Sequence, residues 1–215
     1  EYGPAWAALA QLMCAAYILD LPGVEDPRGK MAEYARRGAT LAPRSPLARG
    51  VMANSHFIFG EREAFLREIE ATLELNPGSP FYEGATGYLL ILAGEGERGR
   101  PLLENSLAMN PCYPWWFNHG LCVDSYVRGD YEGAHQATLK AAFDVNFWGP
   151  LLRAAVLGQL GRAQEAERAA SELVALVPDF ESRARDLTSR PILSEAIVDA
   201  LLDGLRKAGL RPGGD

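Results

Sequence analysis

The 215-residue chain is predicted to be all-α: an α-solenoid of about five helix–turn–helix repeats with a C-terminal capping helix. Three features predict this fold: turn residues that return at a regular period, apolar residues at helical spacing between them, and no sustained alternation of the strand type. In the first feature, Pro43, Pro77 and Pro111 lie 34 residues apart, and Asn146 and Pro178 continue the series after 35 and 32 residues.

Glycines form a second series with the same period. Their intervals are 34, 35 and 32 residues, for Gly60, Gly94, Gly129 and Gly161. A third series lies five residues beyond each glycine, at Phe65, Gly99, Ala134 and Ala166. A glycine supplies a left-handed turn between two helices, a small residue allows close helix packing, and a proline ends the second helix. Since the three series share their irregular intervals, they indicate one repeat.

The repeats are predicted to form an array over residues 1–180. The first spans 4–45 and carries an insertion, 21–30, predicted to be a loop because it holds two prolines and two glycines. The next four span 46–79, 80–113, 114–147 and 148–180. Apolar residues within them recur at helical spacing, as in Phe65, Ile69 and Leu73.

Residues 181–215 are predicted to form a capping helix and tail. Arg190 and Pro191 break the chain, and an apolar helix face follows, made of Ile192, Ala196, Ile197, Ala200, Leu201 and Leu205. A solenoid needs such an atypical terminal element to cover the core of its last repeat.

Composition excludes several classes of protein. With 48% hydrophobic residues the chain has enough apolar material for a sizeable core. Its net charge of −7 argues against nucleic acid as a partner, because phosphate binding needs clustered cations. The apolar run at residues 5–19 is shorter than the roughly 20 residues that span a bilayer, so no membrane insertion is expected. Three irregularly spaced cysteines favour a reducing compartment, hence the cytoplasm.

The 34-residue period resembles that of the tetratricopeptide (TPR) repeat family. Trp6, Leu9, Ala10 and Met13 are similar to the opening of the family pattern. Its later positions are matched by Gly87, Ala134, Ala166, Pro77, Pro111 and Pro178. The resemblance implies a right-handed superhelix. The chain's end, residues 201–210, also resembles TPR regions that follow bacterial class III adenylate cyclase or transcription-regulator domains. Because the chain begins at Glu1 rather than Met, we expect a fragment, and the resemblance implies that an output domain lies upstream.

Two patterns resemble chemical sites. Residues 94–99 match G-x-G-x-x-G, but a predicted helix rather than a strand precedes them, so a repeat turn is expected. Cys112, His119 and Cys122 could supply three zinc ligands, yet no fourth accompanies them, and buried cysteine is a common apolar residue. No nucleophile-and-base motif is present in the sequence. We therefore expect no enzymatic activity, no metal and no cofactor.

The family resemblance implies that the first helix of each repeat lines a concave groove. Carried onto this chain, it gives eight candidate partner-binding residues: Asn54, Phe57, Phe81, Tyr88, Trp116, His119, Tyr126 and Trp148. Aromatic residues are common at contact surfaces, although packing between helices is the alternative for each of them. The carboxylate-clamp subtype of the family places a lysine where this chain has Ala7, which disfavours an acidic peptide tail.

Two functions follow from these features. The leading one is a protein–protein interaction scaffold whose groove binds a peptide, a helix or a partner domain. The alternative is a regulatory or sensor region of a bacterial signalling protein, a nucleotide cyclase or transcription regulator. The expected partner is a protein or peptide, with the parent chain's own upstream domain and a homodimer as alternatives.

Overall fold

The structure is a computed structural model that describes residues 2–140 and 146–213. Twelve helices and no strands occur in this part of the chain. Their bounds are α1 Gly3–Ile18, α2 Pro27–Leu41, α3 Pro46–Ile58, α4 Arg62–Leu75, α5 Pro80–Leu92, α6 Gly96–Met109, α7 Phe117–Val127, α8 Tyr131–Lys140, α9 Trp148–Gln159, α10 Ala163–Leu176, α11 Phe180–Ser189 and α12 Glu195–Lys207.

Consecutive helices pack as antiparallel hairpins from α1–α2 to α9–α10. The first helices α1, α3, α5 and α7 pack in sequence and form the concave side, and α11 and α12 follow the last hairpin. The predicted all-α solenoid is confirmed. The main core extends from α3 to the C-terminal helices. A second, smaller core joins α1, α2 and α3.

The turns within hairpins use left-handed glycines, as the glycine series predicts. The backbone φ angles are +77° at Gly60, +84° at Gly94, +77° at Gly129 and +68° at Gly161. A residue with a Cβ is strained in this region, which explains why glycine recurs there. Each glycine ends the first helix of a hairpin and lets the chain reverse over three residues.

The second helices α2, α4, α6 and α10 each stop just before a proline. α4 ends at Leu75 ahead of Pro77, and α6 ends at Met109 ahead of Pro111. Proline lacks a backbone N–H and disfavours helical geometry in the residue before it. Prolines also start helices: Pro80 is the first residue of α5, where a missing N–H has no cost.

The predicted loop at residues 21–30 is shorter in the structure. α2 begins at Pro27, so the last four residues of the predicted loop are helical. Asp26 caps the helix, with its carboxylate accepting a hydrogen bond from the Gly29 N–H at 3.0 Å. The prediction was wrong here because Pro27 starts a helix rather than breaking one.

Helices approach most closely where two small residues face each other. In the α5–α6 hairpin a Cβ added to Gly87 would lie 2.6 Å from the carbonyl oxygen of Gly99. In the α1–α2 hairpin a Cβ on Gly38 would lie 3.0 Å from the backbone nitrogen of Ala7. These distances mean backbone-to-backbone contact, so larger side chains would push the helices apart.

The C-terminal region forms two helices where the sequence predicts one. α11 is mainly polar, but it buries Phe180, Ala184 and Leu187, whose spacing is helical. α12 lies against α9 and the end of α7. Its buried face contains Ile197, Val198, Leu201, Leu202 and Leu205. The helix therefore covers the C-terminal part of the concave side.

We predict that Gly87→Val destabilises the protein by about 1–3 kcal/mol, because the new side chain overlaps α6. Gly50→Ala is the matched control, since nothing lies within 4 Å of a Cβ there and alanine favours helix formation. Urea denaturation followed by circular dichroism measures both. Equal free energies of unfolding for Gly87→Val and the native protein would show that the α5–α6 contact is not tight.

Candidate functional site

A cavity of about 230 Å³ opens on the concave side of the solenoid. Its walls come from α1, α3, α4 and α5, with residues 115–116, the start of α7 and the first residue of α9 at one end. Pro191, from the segment between α11 and α12, completes the lining. The cavity thus lies over the N-terminal half of the array, where α12 does not fill the concave side.

Seven of the eight predicted groove residues line this cavity. They are Asn54, Phe57, Phe81, Tyr88, Trp116, His119 and Trp148. They come from α3, α5, α7, α9 and the residue preceding α7, as expected for the first helices of four successive repeats. The folded chain therefore brings together residues that are up to 94 positions apart in sequence.

Tyr126, the eighth residue, lies elsewhere. Its side chain is buried where α12 crosses the end of α7, and its hydroxyl donates to the Ala200 carbonyl at 2.8 Å. The amide of Gln159 donates to the same hydroxyl at 3.0 Å. In this position Tyr126 holds the capping helix on the solenoid and does not contact the cavity.

Aromatic rings at one end of the cavity pack edge to face. The Tyr88 and Trp116 ring centroids lie 4.8 Å apart, and those of Trp115 and His119 lie 5.0 Å apart. His119 also lies 6.4 Å from Trp148. Edge-to-face pairs are a favourable arrangement of aromatic rings, and together these rings present a large apolar area.

Among the residues that the structure describes, the cavity lining contains no lysine, arginine, aspartate or glutamate. Elsewhere the chain is rich in charge, with 21 basic and 28 acidic residues. Burial lowers the pKa of His119 to about 3 and raises the pKa of the Cys14 thiol to about 12. Burial also raises the pKa of the Tyr88 hydroxyl. All three groups are therefore neutral near pH 7, and the cavity disfavours an ionised occupant.

Several lining residues were not predicted from the sequence. Gln11 and Cys14 belong to α1, and Trp115 precedes α7 beside the predicted Trp116. Gln11 could have been found, since it is the most polar side chain of an otherwise apolar helix. Pro191 could not, because it reaches the cavity only through the path of the C-terminal segment.

The same arrangement of helices occurs in a solved structure. The fold resembles that of PilW. That protein is described as a widely conserved type IV pilus biogenesis factor, and it superposes with a TM-score of 0.63 over 94% of this chain and 89% of its own. The two sequences are 16% identical, so the likeness to PilW concerns the fold alone. No family model matches the chain, and no curated protein matches its sequence.

The structure also shows where the two patterns that resemble chemical sites lie. Residues 94–99 form the turn between α5 and the start of α6, with a helix before them. Cys122 is buried in α7, whereas Cys112 is exposed in the loop before it. Within residues 2–140 and 146–213, no three His, Cys, Asp or Glu side chains are grouped as metal ligands would be.

A carboxylate clamp would need a lysine at the position of Ala7, and the structure places neither Ala7 nor the nearby Arg37 in the cavity lining. Asn54 lines the cavity, but Ala7 is buried against α2. The Arg37 guanidinium of α2 lies 3.9 Å from the centre of the Trp6 ring, outside the cavity.

In the described part of the chain, no helix has both the length and the apolar character needed to cross a bilayer.

We predict that His119 makes stability depend on pH. Its pKa is about 3 in the folded protein against 6.5 for the free side chain, so between these values only the unfolded state binds the proton. The free energy of unfolding is therefore unaffected by His119 above about pH 6.5. Below that pH it falls by up to about 1.4 kcal/mol per pH unit, because protonation favours the unfolded state.

Urea denaturation at pH 7 and pH 5 measures this effect. Between the two pH values the native protein should lose about 2 kcal/mol more than His119→Gln, which cannot take up the proton. If both proteins lose the same free energy, His119 is not held neutral by burial.

Proposed function

We propose that this chain is a protein-interaction scaffold whose concave cavity binds an uncharged, apolar segment of a partner protein. The observation that carries the proposal is the uncharged lining, to which three tryptophans and a neutral histidine contribute. Catalysis forms no part of the proposal, because function must be argued from a site, and this one offers packing surface and neutral polar groups.

The lining favours protein side chains as the occupant. Binding energy in protein interfaces is concentrated in a few aromatic anchors that fill desolvated pockets. Trp116 and Phe81 supply such surface here, and Asn54 can orient a peptide by hydrogen bonds without adding charge. An acidic or basic segment would lose hydration without gaining an ionic partner in the lining, so apolar segments are preferred.

The fold supports the same proposal. PilW shares it and is described as a type IV pilus biogenesis factor. Solenoids stack hairpins into an extended concave surface, which suits binding of a peptide or helix. Membership of the tetratricopeptide family and a cytoplasmic location stay predictions.

A second candidate is the regulatory or sensor region of a bacterial signalling protein. In this case a small, uncharged molecule occupies the cavity in place of a protein segment. The enclosure provided by Pro191 and Trp148 favours this candidate, because small-molecule sites bury most of the ligand. The link to an upstream cyclase or transcription-regulator domain stays a prediction.

Site-specific cross-linking tests the scaffold proposal in cells. A photo-reactive benzoylphenylalanine is placed at Phe81, which is 37% exposed and lines the cavity. Phe59 is the matched control, since it is 40% exposed but lies outside the lining. We expect a discrete cross-linked protein from position 81 and none from position 59. The same products from both positions would contradict binding in the cavity.

Affinity for the captured partner then tests the anchor. We predict that Trp116→Ala weakens binding by about 30-fold or more, as expected for an aromatic hot spot worth about 2 kcal/mol. Trp6→Ala is the control, because Trp6 stacks on Tyr34 outside the cavity. Calorimetric titration measures both after circular dichroism has shown them folded. Unchanged affinity of Trp116→Ala would place the partner on another surface.

A further inference from the structure

Residues 190–194, which join α11 to α12, form a strap along one side of the cavity. At one end, Arg190 contacts the C-terminal end of α1. At the other, the backbone N–H groups of Leu193 and Ser194 donate to the Leu92 carbonyl at the end of α5, at 3.0 and 3.2 Å. Pro191 lies between these contacts and lines the cavity. The strap therefore links two walls of the cavity.

The contact with α1 is a compact network around Asp20. The Arg190 Nη1 donates to the Asp20 carboxylate at 2.7 Å and to the Tyr17 carbonyl at 2.9 Å. Arg183 of α11 pairs with the second Asp20 oxygen at 2.9 Å. The Arg190 guanidinium also lies 5.1 Å from the centre of the Tyr17 ring. Four interactions thus converge where the two ends of the array meet.

Charge holds this contact together. Burial alone would raise the pKa of the Asp20 carboxyl, but hydrogen bonds from Arg190 and Arg183 outweigh it, so the pKa lies below its ordinary value. The Arg190 side chain is only 11% exposed. Without Asp20, the acidic partner that its charge keeps among the described residues is Asp186, at 2.9 Å on α11 itself. The link to α1 therefore depends on Asp20.

We propose that the strap is a gate: releasing Asp20 from Arg190 and Arg183 opens the cavity, and an occupant is retained behind the closed strap. The proposal deepens the proposed function, on which it rests for the identity of the occupant. The movement breaks the polar contacts at Asp20 and shifts Pro191, whereas Ile192, which is 5% exposed within the main core, stays in place. The α5 end can act as the hinge, since it is held by two backbone hydrogen bonds.

Two buried cysteines allow the opening of the gate to be measured even though the binding partner is not known. Cys14 lines the cavity, so a reagent reaches it when the strap opens. Cys122 is fully buried outside the lining, so a reagent reaches it only when the fold opens more widely. Replacing the exposed Cys112 with serine leaves these two thiols. Their separate labelling rates distinguish gate opening from general unfolding within one molecule.

The experiment compares Asp20→Asn with its parent, both carrying Cys112→Ser. Asparagine suits the left-handed backbone of residue 20, where φ is +54°, so the change removes the charge and keeps the turn. N-ethylmaleimide, a small neutral reagent, labels the protein and mass spectrometry follows each cysteine. We expect Cys14 to be labelled about tenfold faster in Asp20→Asn, with the Cys122 rate unchanged, as loss of a charged hydrogen bond implies.

Asp199→Asn is the matched control. It removes an exposed carboxylate that pairs with Arg185 inside the cap and does not reach α1. The gate is wrong if Asp20→Asn leaves the Cys14 rate unchanged, if both cysteines speed up equally, or if Asp199→Asn acts in the same way.

An occupancy measurement separates this proposal from the function on which it rests. N-phenyl-1-naphthylamine, a neutral aromatic dye, should slow the labelling of Cys14 when it fills the cavity, and should leave it more rapidly in Asp20→Asn. If the dye gives no protection while the Cys14 rate still rises in Asp20→Asn, the gate stands and the apolar binding function fails. If the dye protects but leaves both proteins at the same rate, the gate fails.

Discussion

Contact between helix backbones at small residues is the constraint on which the architecture depends. It occurs within hairpins, at Gly87 and Gly99, and again where the capping helix meets the array. A Cβ on Gly204 of α12 would lie 2.6 Å from the Ala155 carbonyl of α9. Because α12 can lie this close, it covers the concave side over α7 and α9 and leaves a cavity only over the earlier helices. The position of the candidate site therefore follows from a packing contact outside it.

Charge is distributed so that the outside of the array is ionic and the cavity is neutral. Ion pairs connect successive hairpins on the outside, as between Arg162 and Glu132 at 2.8 Å. Asp124 is a buried exception, and its carboxylate accepts from Arg100 and Arg128, both at 2.8 Å. An unpaired ion in the cavity would lack any such compensation. This contrast is the reason for proposing an uncharged occupant on the concave side.

Local chemistry made most of the fold predictable, since turn glycines, terminal prolines and helical spacing each act over a few residues. The positions of Phe81 and Tyr88 followed from the same repeat. The prediction could not place Tyr126 beneath α12, nor bring Pro191 to the cavity, because both depend on contacts between distant parts of the chain. The start of α2 was missed for a different reason: the same proline favours a turn or a helix start, according to its neighbours.

The pairing of Asp20 with Arg190 joins residues 170 positions apart. In an open solenoid each repeat contacts only its neighbours, so repeats can be added, lost or unfolded one at a time. Here the gain, loss or unfolding of one repeat would move Arg190 away from Asp20 and break the contact between these distant parts of the chain. The number of repeats is therefore tied to this contact, and the array is expected to unfold as one cooperative unit, like a globular domain.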